Sequence, residues 1–434
     1  MREMKDSGVE WIGEIPISWQ TLKLKYLASC NDTVLSESTK ANKEIDYIDI
    51  GSVTYESGIN AIQRYSFQDA PSRARRIIHT GDTIISTVRT YLKAVAYINA
   101  EYDGFIASTG FSVFTPNEEI VSKFLFYALS NHSFISEVES NSIGISYPAI
   151  NNTVLNNLKV VLPSRNIQSA IVNYLDNKCS KIDTIIDKQY AIIEKLKEYK
   201  LSLITESVTR GLNYECQMKD SGIDYIGLVP AHWHQCRLRN IGGAQNGISK
   251  GAEYFGEGFP FVSYGDVYRN YSLPYEVQGR VRTTAEEQEH YSVEAGDIFF
   301  TRTSETIDEV GFSCVCEKSI PMATYAGFVI RVRPYSNVLY TGYAKYYFRS
   351  SHHRSYLAKE MNLVTRASLG QDLLKSMPVL VPPKEEQKAI ASFLDKKCDE
   401  IDRILSQKEG LINKLIDYKK SMIYEIVTGK KEVP

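Results

Sequence analysis

Met4-Lys5-Asp6-Ser7-Gly8-Val9-Glu10-Trp11-Ile12-Gly13 returns far downstream as Met218-Lys219-Asp220-Ser221-Gly222-Ile223-Asp224-Tyr225-Ile226-Gly227, and Pro16 and Trp19 return as Pro230 and Trp233. A second echo is longer. Gln168, Ala170, Ile171, Leu175, Asp176, Lys178, Cys179, Ile182 and Asp183 match Gln387, Ala389, Ile390, Leu394, Asp395, Lys397, Cys398, Ile401 and Asp402. The match runs on through Lys195-Leu196, Tyr199-Lys200, Glu206 and Val208-Thr209 into Lys414-Leu415, Tyr418-Lys419, Glu425 and Val427-Thr428. A period of half the chain is far longer than a solenoid or propeller repeat, so it marks two copies of a whole domain unit. The order is opening segment, variable body and helix, then the same again. This divides the chain into bodies at 1–162 and 213–381 and helices at 163–212 and 382–434.

The helical segments carry heptads. Leu175, Ile182, Gln189, Leu196 and Leu203 recur every seven residues, with Ile185, Ile192 and Tyr199 at a d-type spacing between them; the second copy reads Leu394, Ile401, Lys408, Leu415 and Met422 with Ile404, Leu411 and Tyr418. This pattern predicts a coiled-coil seam, interrupted near the middle by the polar pair Gln189 and Lys408. Roughly 34 residues at about 1.5 Å each predict rods of about 50 Å. The first helix hands over to the second body through a short stretch around Asn213 to Gln217. A body of this size has a radius of gyration of only about 15 Å, so it delivers the chain to the second helix close to where the first one ended. The helices therefore pair antiparallel. The predicted fold is α+β: two similar mixed α/β domains joined by an antiparallel coiled coil, with a pseudo-twofold internal repeat.

Both bodies run through matched elements. Tyr47-Ile48-Asp49-Ile50-Gly51 parallels Phe261-Val262-Ser263-Tyr264-Gly265 as a strand closing into a glycine turn, and Gly81-Asp82 opens a strand as Gly296-Asp297 does. The segments after the Gly-Asp strands diverge while staying rich in hydrogen-bonding groups. They contain Thr87, Arg89, Thr90, Tyr91 and Lys93 in the first body and Arg302, Thr303, Ser304, Glu305 and Thr306 in the second. Arg, Thr, Ser and Glu are side chains able to read base edges. Arg73, Arg75 and Arg76, and Ser249 with Lys250, are the corresponding candidates for phosphate contacts. The bland alternative for each is a solvated polar loop.

The 434 residues are 43% hydrophobic and 24% charged, a soluble globular balance. No apolar run follows the first residues or reaches membrane-spanning length, so a cytoplasmic protein without membrane contact is expected. A net charge of −2 argues against coating phosphates by bulk charge. Seven cysteines without Cys-x-x-Cys pairs, and histidine pairs without further ligands, predict no metal site. No phosphate loop, His-Glu-x-x-His or Asn/Asp-Pro-Pro-Tyr type motif is present, so no catalytic residue is assigned.

The repeated opening phrase, the Pro-x-x-x-x-Gln start of each helix (Pro163 to Gln168, Pro382 to Gln387), the Leu-Asp-x-Lys-Cys-x-x-Ile-Asp run and the Val-Thr ending resemble the specificity subunit of a type I restriction-modification system. The resemblance covers essentially the whole chain, twice. It implies that each body is a target recognition domain reading one half of a split double-stranded DNA sequence. It also implies that the helices space the halves and dock two modification subunits. Those partners would bind S-adenosylmethionine and methylate adenine, this chain would hold no cofactor, and a restriction subunit can join them. By position, the turns at Ser146-Tyr147 and Thr365-Arg366 would also face DNA. The competing class is a coiled-coil adaptor with two protein-binding heads and no DNA role.

Overall fold

The computed structural model describes residues 2–55, 57–304, 309–360 and 367–433. They form two compact units: Met1–Gln189 with Glu409–Pro434, and Tyr190–Lys408. The helices are thus not separate segments between bodies, as the linear division had them. Each unit takes one body and a share of both long helices, α1 (Arg165–Arg210) and α2 (Lys384–Val427). Unit 1 combines the N-terminal part of α1 with the C-terminal part of α2, and unit 2 combines the other two parts, so the helices run antiparallel.

The two bodies share one topology. In unit 1 a four-stranded antiparallel sheet runs in the order Val95–Tyr97, Thr83–Ser86, Phe111–Pro116, Ala28–Cys30. Unit 2 repeats it as Ser313–Val315, Ile298–Thr301, Val329–Pro334, Gly242–Asn246. A second, mixed sheet includes a parallel pair in each: Glu44–Ile48 beside Ile106–Ser108, and Phe255–Val262 beside Thr324–Tyr325. The Gly-Asp dipeptides open the central strands for a local reason. Gly81 (φ +98°) and Gly296 (φ +95°) hold a backbone conformation that a side chain would strain. The buried carboxylates behind them accept backbone N–H groups of the same turns, Asp82 from His79 and Asp297 from Glu294, each at 2.8 Å. One local difference separates the bodies. Ile50–Ser52 is a single 3₁₀ turn, whereas Ser263 and Asp266 form a capping box that starts the helix Tyr264–Arg269 where a glycine turn was expected.

The repeated motifs are the fasteners between body and helix. Gln168 is buried and its amide closes three backbone bonds. Its Oε1 accepts from Val121 N–H (2.7 Å), while Nε2 donates to the carbonyls of Glu119 (3.1 Å) and Pro163 (2.9 Å). Gln387 does the same with Tyr340, Val338 and Pro382. About two turns further along α1, Asp176 accepts from Tyr127 Oη (2.7 Å) and Lys123 Nζ (2.6 Å); in unit 2 Asp395 accepts from Tyr346 (2.8 Å) and Lys345 (2.5 Å). The last aspartate of the motif crosses to the other helix: Asp183 pairs with Lys419 in unit 1, and Asp402 with Lys200 in unit 2, both at 2.6 Å. The helix ends are received in the same exchanged way. Gly429, ending α2 at φ +74°, lies so close to Trp19 and Pro16 that a Cβ would collide with both, and Gly211, ending α1 at φ +73°, lies against Trp233 and Pro230. The Pro and Trp of each opening segment therefore serve as the seat for the other copy's helix end.

The seam differs from the heptad reading in one respect. Leu175, Ile182, Leu394 and Ile401 are buried as expected. The d-type series is not: Ile185, Ile192, Tyr199, Ile404, Leu411 and Tyr418 are between 38% and 57% exposed. The inward series falls four residues after each a-type position instead of three, at Cys179, Ile186 and Ile193 and at Cys398, Leu405 and Ile412. The reason is composition. Ile185-Ile186, Ile192-Ile193, Ile404-Leu405 and Leu411-Ile412 are apolar on both flanks, so the stripe is wider than a two-helix seam buries. The helices, at 46 and 44 residues, are also longer than predicted, about 69 and 66 Å. Gln189 is half-buried with its Oε1 unpaired among the described residues.

Of the paired histidines, His353 is wholly inside unit 2, donating Nε2–H to the Gly311 carbonyl at 2.8 Å with its other nitrogen against Met377. Burial, opposed only by that bond, pushes its pKa down to about 3. A base with a depressed folded pKa keeps its stability above the unfolded value near 6.5 and loses it as pH falls toward 3. Between those limits unfolding free energy should fall by up to about 1.4 kcal/mol per pH unit. Urea unfolding at pH 7 and pH 5 should show this loss, and His353→Gln should flatten the difference.

Candidate nucleic-acid interface

The segments after the Gly-Asp strands each pair with the loop that precedes the last strand of the body. In unit 1, Thr87 N–H donates to Gly110 (2.8 Å), Ile150 N–H donates to the Thr87 carbonyl (2.9 Å), and Val88 bridges to Ala149. In unit 2, Arg302 N–H donates to Phe328 (2.8 Å), Leu369 N–H donates to the Arg302 carbonyl (2.7 Å), and Thr303–Ser304 pairs with Ala367–Ser368. Thr87 and Arg302 thus occupy the same node of one framework. Around that node the fold brings together segments distant in sequence. Thr109 N–H donates to the Arg73 carbonyl, which carries Arg73 to the turn that holds Thr87. In unit 2, Ile248 bridges to Ala326 and Ser249 closes over Gly327, so the Gly247–Lys250 turn meets the Arg302 node.

The candidate residues separate by what they already hold. Thr87 and Thr90 are buried, their hydroxyls donating to the Gly110 carbonyl (3.0 Å) and to Ser142 (2.9 Å); these bonds fasten the loop and spend each hydroxyl's one donor. Arg89 and Tyr91 stand outward, Arg89 in a left-handed conformation (φ +51°) with its guanidinium 5.0 Å from the Tyr147 ring centre. Lys93 reaches Glu139 at 3.4 Å. Ser146 is exposed beside Tyr147. Arg73 is exposed and makes no side-chain hydrogen bond among the described residues, whereas Arg75 caps its own neighbour's carbonyl and covers Phe67, and Arg76 is half-buried on a strand with its Nε unpaired. In unit 2 Arg302 is partly buried, and its guanidinium has no partner among the described residues. Thr303 lies in the short ladder and Ser304 bonds Glu309. Ser249 is exposed. Lys250 is held by Glu287 (2.7 Å), the Arg282 carbonyl (3.0 Å) and the Tyr254 face; the same contact pulls the Glu287 pKa down. A lysine so engaged is a structural tether. Glu305, Thr306, Thr365 and Arg366 lie outside the described residues.

Two neighbours escaped the sequence reading. Ile145, at the tip of the Ile143–Ala149 hairpin, is fully exposed, and Phe328, whose carbonyl holds Arg302, is 63% exposed. Among the described residues no group of three or more His, Cys, Asp or Glu could hold a metal, and no helix is long and apolar enough to cross a membrane.

The paired frameworks meet a family profile described as the type I restriction modification DNA specificity domain, which matches residues 16–197 and 230–414, one match per repeat. The chain belongs to this specificity family. It is 25% identical over 452 aligned positions to the putative type I restriction enzyme MjaX specificity subunit of Methanocaldococcus jannaschii, covering 97% of this chain and 96% of that one. It is 19% identical over 317 to the type I restriction enzyme StySPI specificity subunit of Salmonella potsdam, covering 73% and 66%, so it spans about two thirds of that relative. A solved chain from a type I R-M system, determined for its complex assembly and conformational transition, superposes with a TM-score of 0.76 at 20% identity over 96% of this chain and 99% of that one. The HsdS subunit from Thermoanaerobacter tengcongensis gives 0.52 at 21% identity over 96% and 98%. At these identities the structures establish the shared fold. Nothing in these comparisons supports the adaptor reading. The specificity family's DNA role and an Arg302 guanidinium without a partner among the described residues give a direct expectation. Arg302→Ala should leave thermal stability unchanged and weaken binding to cognate duplex by about 1–3 kcal/mol. Lys250→Ala should instead lower the melting temperature, which differential scanning calorimetry separates from a binding defect.

Proposed function

We propose that this chain is the non-catalytic DNA-reading subunit of a type I modification complex, with each unit reading one half of a split, asymmetric duplex target. The observation that carries the proposal is the pair of equivalent nodes at Thr87 and Arg302: one backbone framework, doubled by the repeat, with different side chains set into it. A shared frame with divergent surfaces is what two readers of different half-sites need. The outward set in unit 1 is Arg73, Arg89, Tyr91, Ser146 and Tyr147, and in unit 2 Ser249, Arg302 and Thr303, with Glu305, Thr306, Thr365 and Arg366 retained from position alone.

The catalytic step belongs to partners. Two modification subunits would bind S-adenosylmethionine and methylate adenine, a restriction subunit can join, and the assembly works in the cytoplasm. The exposed stripe supports their docking. Ile185, Leu411 and Tyr418 in unit 1 are the repeat equivalents of Ile404, Ile192 and Tyr199 in unit 2, so each unit offers the same apolar face to an identical partner. Partner surfaces around the duplex also account for DNA binding by a chain whose own charge is only −2.

The long antiparallel helices act as the ruler between readers, and half-sites about 10 bp apart centre to centre, roughly 34–36 Å, present to one face of B-DNA. Inserting about four residues, close to one helical turn, into both helices should lengthen the unread gap without changing the bases read. Sequencing methylated adenines in cells expressing the variant with its modification subunits gives the answer. Altered base identity within a half-site, or a continuous native target, contradicts the ruler.

A further inference from the structure

The hairpin at the unit 1 node has no structural reason to be apolar. Ile143 and Ala149 exchange both backbone hydrogen bonds (2.9 and 3.0 Å), closing a short hairpin loop by a single bridge, and Ala149 also bridges to Val88. Ser142 at its base is bonded to Thr90, whose N–H reaches the Pro148 carbonyl. The loop is therefore pinned at its root. At its tip the chain exposes Ile145 completely, with Ile143 at 85% and Tyr147 at 66%. Three large apolar side chains exposed within five residues at the end of a fastened loop gain nothing for folding, and clustered exposure of this kind marks an interaction site.

Two features favour duplex DNA over protein as the occupant. The tip adjoins a cation: the Arg89 guanidinium lies 5.0 Å from the Tyr147 ring centre. Its shape is that of a narrow loop, which a DNA groove wide enough for a helix admits, whereas a protein interface needs a broad face of about 800 Å². Apolar residues carried into a groove beside arginines act as wedges, unstacking one base step and kinking the duplex.

We propose that Ile145 is such a wedge, so that part of the first half-site is read through the ease of unstacking one step rather than through hydrogen bonds, with flexible pyrimidine–purine steps favoured. The inference rests on unit 1 being a DNA reader.

The test uses the full chain assembled with its modification subunits. The probe is a duplex bearing the methylated sequence found in cells, with 2-aminopurine placed at successive positions of the half-site assigned to unit 1. Binding should raise fluorescence several-fold at one step other than the adenine that is methylated, which is itself extruded and gives its own signal. Ile145→Ala and Ile145→Ser should abolish the rise at that step and weaken binding about tenfold. Ile145→Leu should keep it, and a mismatch at that step should restore binding by Ile145→Ala. Because Ile145 is fully exposed, the melting temperature should not change. Unchanged fluorescence and affinity in Ile145→Ala overturns the wedge. So does a variant that fails to co-elute with the modification subunits, since the tip would then be a protein contact. Failure of the wild-type complex to bind any such duplex instead refutes the DNA reading beneath it.

Discussion

A buried glutamine at the foot of each long helix is the constraint on which the rest depends. Gln168 and Gln387 each satisfy two carbonyls and one N–H where a body's last strand turns into its helix. The bonds to the Pro163 and Pro382 carbonyls are buried, and leaving such a group unpaired costs about 1–3 kcal/mol. The glutamine therefore fixes the direction in which each body meets its helix. Asp176 and Asp395 add a second fixing point about two turns along, bonded to Tyr127 and Lys123 and to Tyr346 and Lys345. Two points on a helix define an orientation, so each reading surface is aimed by its helix rather than by a flexible hinge.

The exchanged contacts convert a sequence repeat into one architecture. Asp183 and Asp402 are repeat equivalents, as are Lys200 and Lys419, and each aspartate pairs with the lysine of the other copy. Trp19 and Trp233 likewise receive the helix end of the other copy. These ion pairs are half-exposed, so each contributes little to stability. Their value is register: an aspartate on the wrong turn would face no lysine.

Much of this was legible in the sequence. The repeat gave the doubling of body and long helix, and the short route from Asn213 to Gln217 gave the antiparallel pairing, because connectivity and chain dimensions leave no other choice. The seam was half legible. Periodicity located Leu175 and Ile182 but could not choose between Ile185 and Ile186, since both are apolar and only packing decides which turns inward. The candidate interface was read least well. Residue type alone ranks Thr87, Thr90 and Lys250 as base or phosphate readers, yet each is consumed by a bond within its own unit. Ile145, proposed as a contact, is silent in the sequence for the converse reason: an isoleucine in a loop carries no hydrogen-bonding signal, and only its exposure at the tip of a pinned hairpin singles it out.

The central claim is that two separately aimed readers share one frame. Exchanging residues 1–162 for the corresponding body of a relative with a different target tests it most directly, because the helix-side partners Gln168 and Asp176 remain in place to seat the incoming body. Mapping methylated adenines in cells that express the chimaera with its modification subunits should show one half-site replaced, with the other half-site and the gap unchanged. Simultaneous change of both half-sites would contradict the account.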